Sequence, residues 1–135
     1  MQQRFASTLP RLLLSMTIAM TFALAACDKG GGAAAPAASP ETIALGAKHF
    51  AGTCVTCHGK DANGLPKLGK SLLMNPFIME KSDDELAVFI KTGRPAADPL
   101  NTTGVDMPPK GGNPALSEDD VKAIVAYLRT LQTLK

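Results

Sequence analysis

Residues 54–58 read Cys-Val-Thr-Cys-His, and this pentapeptide constrains the chain more than any other stretch. Two cysteines three apart, with a histidine directly after the second, are the signature of covalent c-type haem attachment. The spacing has a geometric reason. One helical turn presents Cys54 and Cys57 to two vinyl groups along one edge of a single haem. His58, tethered beside the second thioether, then lies under the iron and offers it a neutral imidazole nitrogen. A chain built this way folds around a flat apolar body. Two other uses of these residues lack their context. A thioredoxin-like dithiol belongs in a βαβ pattern, which the sequence does not show. A structural zinc site takes four ligands, and the chain has one further histidine, His49, and one further cysteine, Cys27.

The 135 residues divide into a processed front and one small domain. Residues 1–26 read as a secretory signal: Arg4 and Arg11 precede the uncharged apolar stretch Leu12 to Ala26. That stretch is roughly 15 residues, short of the ~20 that a spanning helix needs. It ends in Leu24-Ala25-Ala26-Cys27, which resembles the lipobox of bacterial lipoproteins. Cys27 would then be lipidated and become the mature N-terminus, tying the chain to a membrane. The alternative is an ordinary cleaved signal with a leftover cysteine. One cysteine for lipid and two for haem leave no free thiol in an oxidising compartment, so no structural disulfide is expected. Asp28, directly after Cys27, resembles an inner-membrane retention signal. The expected location is the periplasmic side of a bacterial envelope membrane. Of the 14 basic residues, Arg4 and Arg11 leave with the signal, so 12 remain against 12 acidic ones and the mature chain is neutral. With no basic run and few aromatics, nothing argues for nucleic acid.

Residues 27–39 carry the lipid attachment point and a Gly-, Ala- and Pro-rich linker with nothing to pack. As a flexible coil its ends would lie about 20 Å apart. The folded domain is expected over residues 40–135. Ser39 as N-cap and Pro40 at N1 open a first helix. Ile43, Ala47, Phe50 and Ala51 make its apolar face, with His49 off that stripe and exposed. Gly59 to Leu73 has turn chemistry throughout. Ser82 and Glu85 form a capping box for a second helix with Leu86, Phe89 and Ile90 buried, ended by Gly93. Arg94 to Pro114 is again loop. A last helix starts at Ser117, with Leu116 and Val121 as a staple and a stripe of Val121, Ile124, Val125, Leu128 and Leu131. No stretch alternates as a strand.

A carrier of electrons needs an iron that keeps both axial ligands in either redox state. A thioether opposite histidine raises the potential relative to a second histidine. Beyond the signal the methionines are Met74, Met79 and Met107. Met107 is the favoured sixth ligand. It is far from His58 in sequence, lies in a loop free of helical periodicity, and precedes Pro108 and Pro109, which stiffen the backbone. Met74 and Met79 are read as core filler or rim packing.

From about Pro40 to Lys135 the chain resembles the small class I monohaem cytochromes c. The order matches: a helix with Gly46 and Phe50, the Cys54–His58 motif with Gly59, a Gly-rich loop, a middle helix, a Met-Pro loop and a C-terminal helix. The resemblance implies an all-α fold of three to four helices with long loops wrapped around one covalent haem c. It implies that the first and last helices cross at Gly46, with Tyr127 or Leu128 close by. It also implies that His58 donates its outer ring N–H to a loop carbonyl. In many members that carbonyl belongs to a proline; here Lys70 stands in its place and Pro66 lies nearby, so either carbonyl could accept.

The function expected is a one-electron shuttle between redox partner proteins that transforms no small-molecule substrate. Lys60, Lys67 and Lys70 could ring the haem edge and steer acidic partners, or be scattered solvated lysines. Two alternatives stay open: an electron-entry subunit docked to a larger dehydrogenase or oxidase, and a ligand-binding haem protein with an open iron position.

Overall fold

The structure is a computed structural model that describes residues 38–133. The signal, Cys27 and nearly all of the linker lie outside the described residues. Helix α1, Pro40–His49, begins where expected: the Ser39 hydroxyl accepts from the Thr42 amide at 3.2 Å and Pro40 holds N1. It does not stop at His49. Through a π-helical turn, Phe50–Cys54, it runs into α2, Val55–His58, so one helical rod carries the attachment motif at its end. Gly59, at φ 76°, terminates it.

Helix α3, Pro76–Glu80, was not foreseen, although its Asn75 cap and Pro76 at N1 are a legible start signal. Its five residues are too few to show a periodic stripe. Helix α4, Asp83–Thr92, has the predicted Ser82–Glu85 capping box and ends at Gly93. Helix α5, Glu118–Thr130, closes a second box, Ser117 with Asp120, and its staple residues Leu116 and Val121 are both buried. Among the described residues no strand forms; two isolated bridges, Leu65 with Gly69 and Arg94 with Met107, are the nearest approach to one. Among the described residues the fold is therefore all-α, with three long α-helices and two short ones.

The organising contact is between α1 and α5. A Cβ placed on Gly46 would run into the Ala123 carbonyl, lying 2.5 Å from its carbon and 2.9 Å from Tyr127 Cβ. Glycine lets the two backbones touch here. One turn on, the Phe50 and Tyr127 rings meet at 5.3 Å. The buried side chains of α4 and α5 join Phe50 to complete the core. Arg129 staples the far end: Nε donates to Asp83 Oδ1 at 2.7 Å, and the two Nη groups donate to the carbonyls of Ile78 and Lys81. Truncating it leaves those carbonyls half-buried without a donor. Arg129→Ala is expected to lower stability by about 2 kcal/mol, read as a shifted denaturant midpoint with an unchanged slope.

Two sequence readings are corrected. His49 is not exposed. Its side chain is 25 % accessible and Nε2 lies 2.9 Å from Asp120 Oδ1, without the alignment of a full hydrogen bond. The α1–α5 crossing that Gly46 permits brings this pair together. Met74 and Met79 are not core filler: they are 48 % and 52 % accessible and sit on turns and short helix facing solvent.

Candidate functional site

A pocket of about 490 Å³ opens between the α1–α2 rod, α4, α5 and the two long loops. Its walls are mainly apolar, from Phe50, Phe77, Leu86, Ile90, Ile124 and Leu128. Cys54, at the end of the π-helical turn, and Cys57 and His58 on α2 line it from the rod, and Met107 lines it from the second loop. All four residues picked out for haem binding therefore face one cavity, while Met74 and Met79 do not reach it.

The His58 side is built by backbone. The amides of Leu65 and Gly64 take the last carbonyls of α2, those of Cys57 at 3.2 Å and His58 at 2.7 Å. Leu65 also receives the Gly69 amide at 3.1 Å, closing a tight loop. A Cβ on Gly69 would strike the Cys57 carbonyl, 2.7 Å from its carbon, so only glycine lets the loop lie this close. The loop thereby delivers the Lys70 carbonyl to His58 Nδ1 at 2.8 Å. The carbonyl left open between Lys70 and Pro66 is that of Lys70. A backbone oxygen cannot donate, so Nδ1 carries a proton, and in the neutral ring the lone pair is on Nε2.

The Met107 side is a second backbone device. Arg94 and Met107 exchange both amide–carbonyl bonds at 2.8 Å. Gly93, at φ 71°, is pressed against the Met107 carbonyl, and a Cβ there would also lie 2.8 Å from the Pro108 carbonyl carbon. Asn101 knits the loop before it, donating to Pro95 and Val105 carbonyls and accepting from Thr103 and Gly104 amides. The turn after it docks on the rod, with Asn113 Nδ2 donating to Thr53 Oγ1 at 3.2 Å. Met107 is thus set by α4 and by the loop on both sides of it.

Burial, and then the neighbouring Cys57, push the Cys54 thiol up to about 11. At neutral pH it is an uncharged thiol, unlike the thiolate that a dithiol redox centre uses. Among the described residues no three His, Cys, Asp or Glu side chains converge as a metal cluster. The donor set instead suits haem: two thiols and an imidazole at the end of one helical rod, a thioether on a separate loop, and a wide apolar space that all four line.

Sequence reasoning missed Gly69, Gly93, Arg94 and Asn101 as builders of this site. Each acts through a partner distant in the chain, although the Gly93-Arg94 pair at a helix end was a partial signal. Lys60, Lys67 and Lys70 are all exposed; Lys70 also lines the pocket and donates to the Leu100 carbonyl at 3.2 Å.

Fold and pocket together define a c-type cytochrome domain. The family described as cytochrome C oxidase, cbb3-type, subunit III matches residues 41–128, and the chain belongs to it. It is 31 % identical over 87 residues to the Cbb3-type cytochrome c oxidase subunit CcoP of Rhodobacter capsulatus, covering 64 % of this chain and 28 % of that one. It is 33 % identical over 85 residues to Cytochrome c-555 of Chlorobaculum thiosulfatiphilum, covering 63 % of this chain and 91 % of that one. The chain thus spans less than a third of the CcoP relative. No solved structure gives a significant match. Among the described residues no helix is long and apolar enough to cross a membrane.

Proposed function

We propose that this chain carries single electrons on one covalent haem c, joined to Cys54 and Cys57 and ligated by His58 and Met107. The observation that carries the reading is the His58–Lys70 hydrogen bond at 2.8 Å. It commits Nδ1 outward and leaves Nε2 as the ligand, in the same cavity that Met107 lines. The haem supplies an iron that changes by one electron. The protein does the rest. His58 is held in one tautomer and one orientation by a loop that glycine packing fixes. Met107 is held by the two-bond bridge to Arg94. Both ligands are thereby pinned by backbone, so little moves when charge changes. The apolar walls exclude water and favour the less charged, reduced iron.

On this reading the chain transforms no substrate and passes electrons between redox proteins. Cys27 is its lipid anchor and residues 28–39 its tether, on the periplasmic side of the envelope, the inner membrane in particular. A second reading is supported by the relatives named as oxidase subunit CcoP. There the domain serves as an electron-entry subunit, and a stable complex surviving gentle detergent extraction selects it.

The test is the ferric spectrum of protein made where haem is attached. Low-spin iron with a weak far-red sulfur-to-iron band is expected, and Met107→Ala removes the band. High-spin wild-type iron that binds carbon monoxide rapidly would select an open sixth position instead.

A further inference from the structure

The turn that follows Met107, residues 108–113, is anchored with little help from its own amides. Pro108 and Pro109 have no N–H to give. The turn closes on itself, with the Gly111 amide on the Pro108 carbonyl at 2.9 Å and the Asn113 amide on the Lys110 carbonyl at 3.1 Å. Two side chains then tie it to other elements. Asn113 Nδ2 reaches Thr53 on the rod. Lys110 Nζ donates to the Leu116 carbonyl at 2.6 Å, at the entry to α5.

The acceptor of that second bond is buried. Leu116 is 3 % accessible, and both it and Lys110 line the pocket. Among the described residues no backbone amide takes the Leu116 carbonyl, so Lys110 is the donor that meets it. A buried carbonyl left without a donor is costly. No acid draws the ammonium elsewhere. Among the described residues Lys110 forms no ion pair, and Glu118, just beyond on α5, bonds Lys91 at 2.8 Å.

The backbone points the same way. Lys110 lies at φ 53° and ψ 27°, in the left-handed region that disfavours a residue with a Cβ, and Gly111 follows at φ 65°. Glycine would adopt this turn at lower cost. A strained residue of this kind persists where its surroundings hold it, and the hold here is the bond to Leu116.

We infer that Lys110 is a positioning residue for Met107: its bond to the Leu116 carbonyl clamps the turn to α5 and keeps the thioether in the pocket. The inference rests on the functional reading above. The Arg94 bridge fixes Met107 to the end of α4. Lys110, three residues on, fixes the outgoing chain to α5. For the thioether to leave the iron the turn has to lift, and the Lys110 bond breaks with it. A chain without that bond loses less on opening, so it opens more often.

The measurement is carbon monoxide binding to haem-loaded, reduced protein at saturating gas, where the rate reports how often Met107 leaves. The ferric far-red band is recorded alongside. Lys110→Met keeps the stem and drops the donor, and it is expected to bind about tenfold faster than wild type. Lys110→Arg restores a donor and brings the rate most of the way back. Arg129→Ala, which weakens the fold at its far end, leaves the rate unchanged. A wild-type rate in Lys110→Met overturns the inference, as does an equally fast Lys110→Arg. An equal quickening in Arg129→Ala also overturns it, because the effect is then one of global stability. If Lys110→Met takes up no haem, Lys110→Gly replaces it, since it drops the same donor and suits the left-handed backbone. A quickened rate there supports the clamp and an unchanged one overturns it. Wild type without the far-red band would instead defeat the functional reading, so the two failures are distinct.

Discussion

His58→Ala is expected to abolish stable haem binding and with it the folded domain. The pocket is about 490 Å³. Without its occupant the apolar walls of this open pocket face water, and that lost burial weighs heavily against the roughly 5–15 kcal/mol by which a small domain is stable. No set of side chains nearby can collapse into the gap. Phe50, Leu86 and Ile124 already pack against one another, and the chain contains no Trp and one Tyr. The variant removes the iron ligand and also frees the Lys70 carbonyl that the imidazole holds. Visible absorbance per protein and the thermal midpoint check it. A coloured, low-spin, normally stable His58→Ala protein would contradict the site.

Gly46→Ala should cost about 3 kcal/mol, at the upper end of overpacking, and lower the thermal midpoint by roughly 15 °C. The new methyl meets the Ala123 carbonyl and Tyr127 Cβ, and neither can rotate away. Backbone has to yield, so α1 and α5 must separate. The gain in helix propensity, about 1 kcal/mol, is too small to offset this. Gly52→Ala is the control, because a Cβ there has no neighbour within 4 Å. It should be neutral or slightly stabilising. Equal losses at both positions would mean that the crossing is not as tight as described.

The comparison of sequence with structure divides along the range of the interactions. Ser39 and Ser82 were legible as caps because each bonds to an amide three residues on, and Ser117, read as the start of the last helix, caps it in the same way. The α5 stripe was legible because its five apolar residues follow helical spacing and all prove buried. Helix α3 escaped because it is too short to be periodic. His49 was misjudged because periodicity on α1 alone cannot see Asp120 on α5. Met74 and Met79 were misjudged because an apolar residue without a periodic context carries no information about its facing.

What the sequence determined by itself was the chemistry: two thiols and an imidazole in one turn, a thioether in a distant loop, and helices whose ends and apolar faces are encoded within a few residues. Those are short-range relations, and spacing expresses them. Tertiary structure alone decided that the Lys70 carbonyl orients His58, that Arg94 bridges to Met107, and that Arg94 and Lys70 converge on the Leu100 carbonyl. The reason is physical. Each depends on backbones meeting at Gly46, Gly69 or Gly93, where the absence of a Cβ permits contact between segments that the sequence keeps apart.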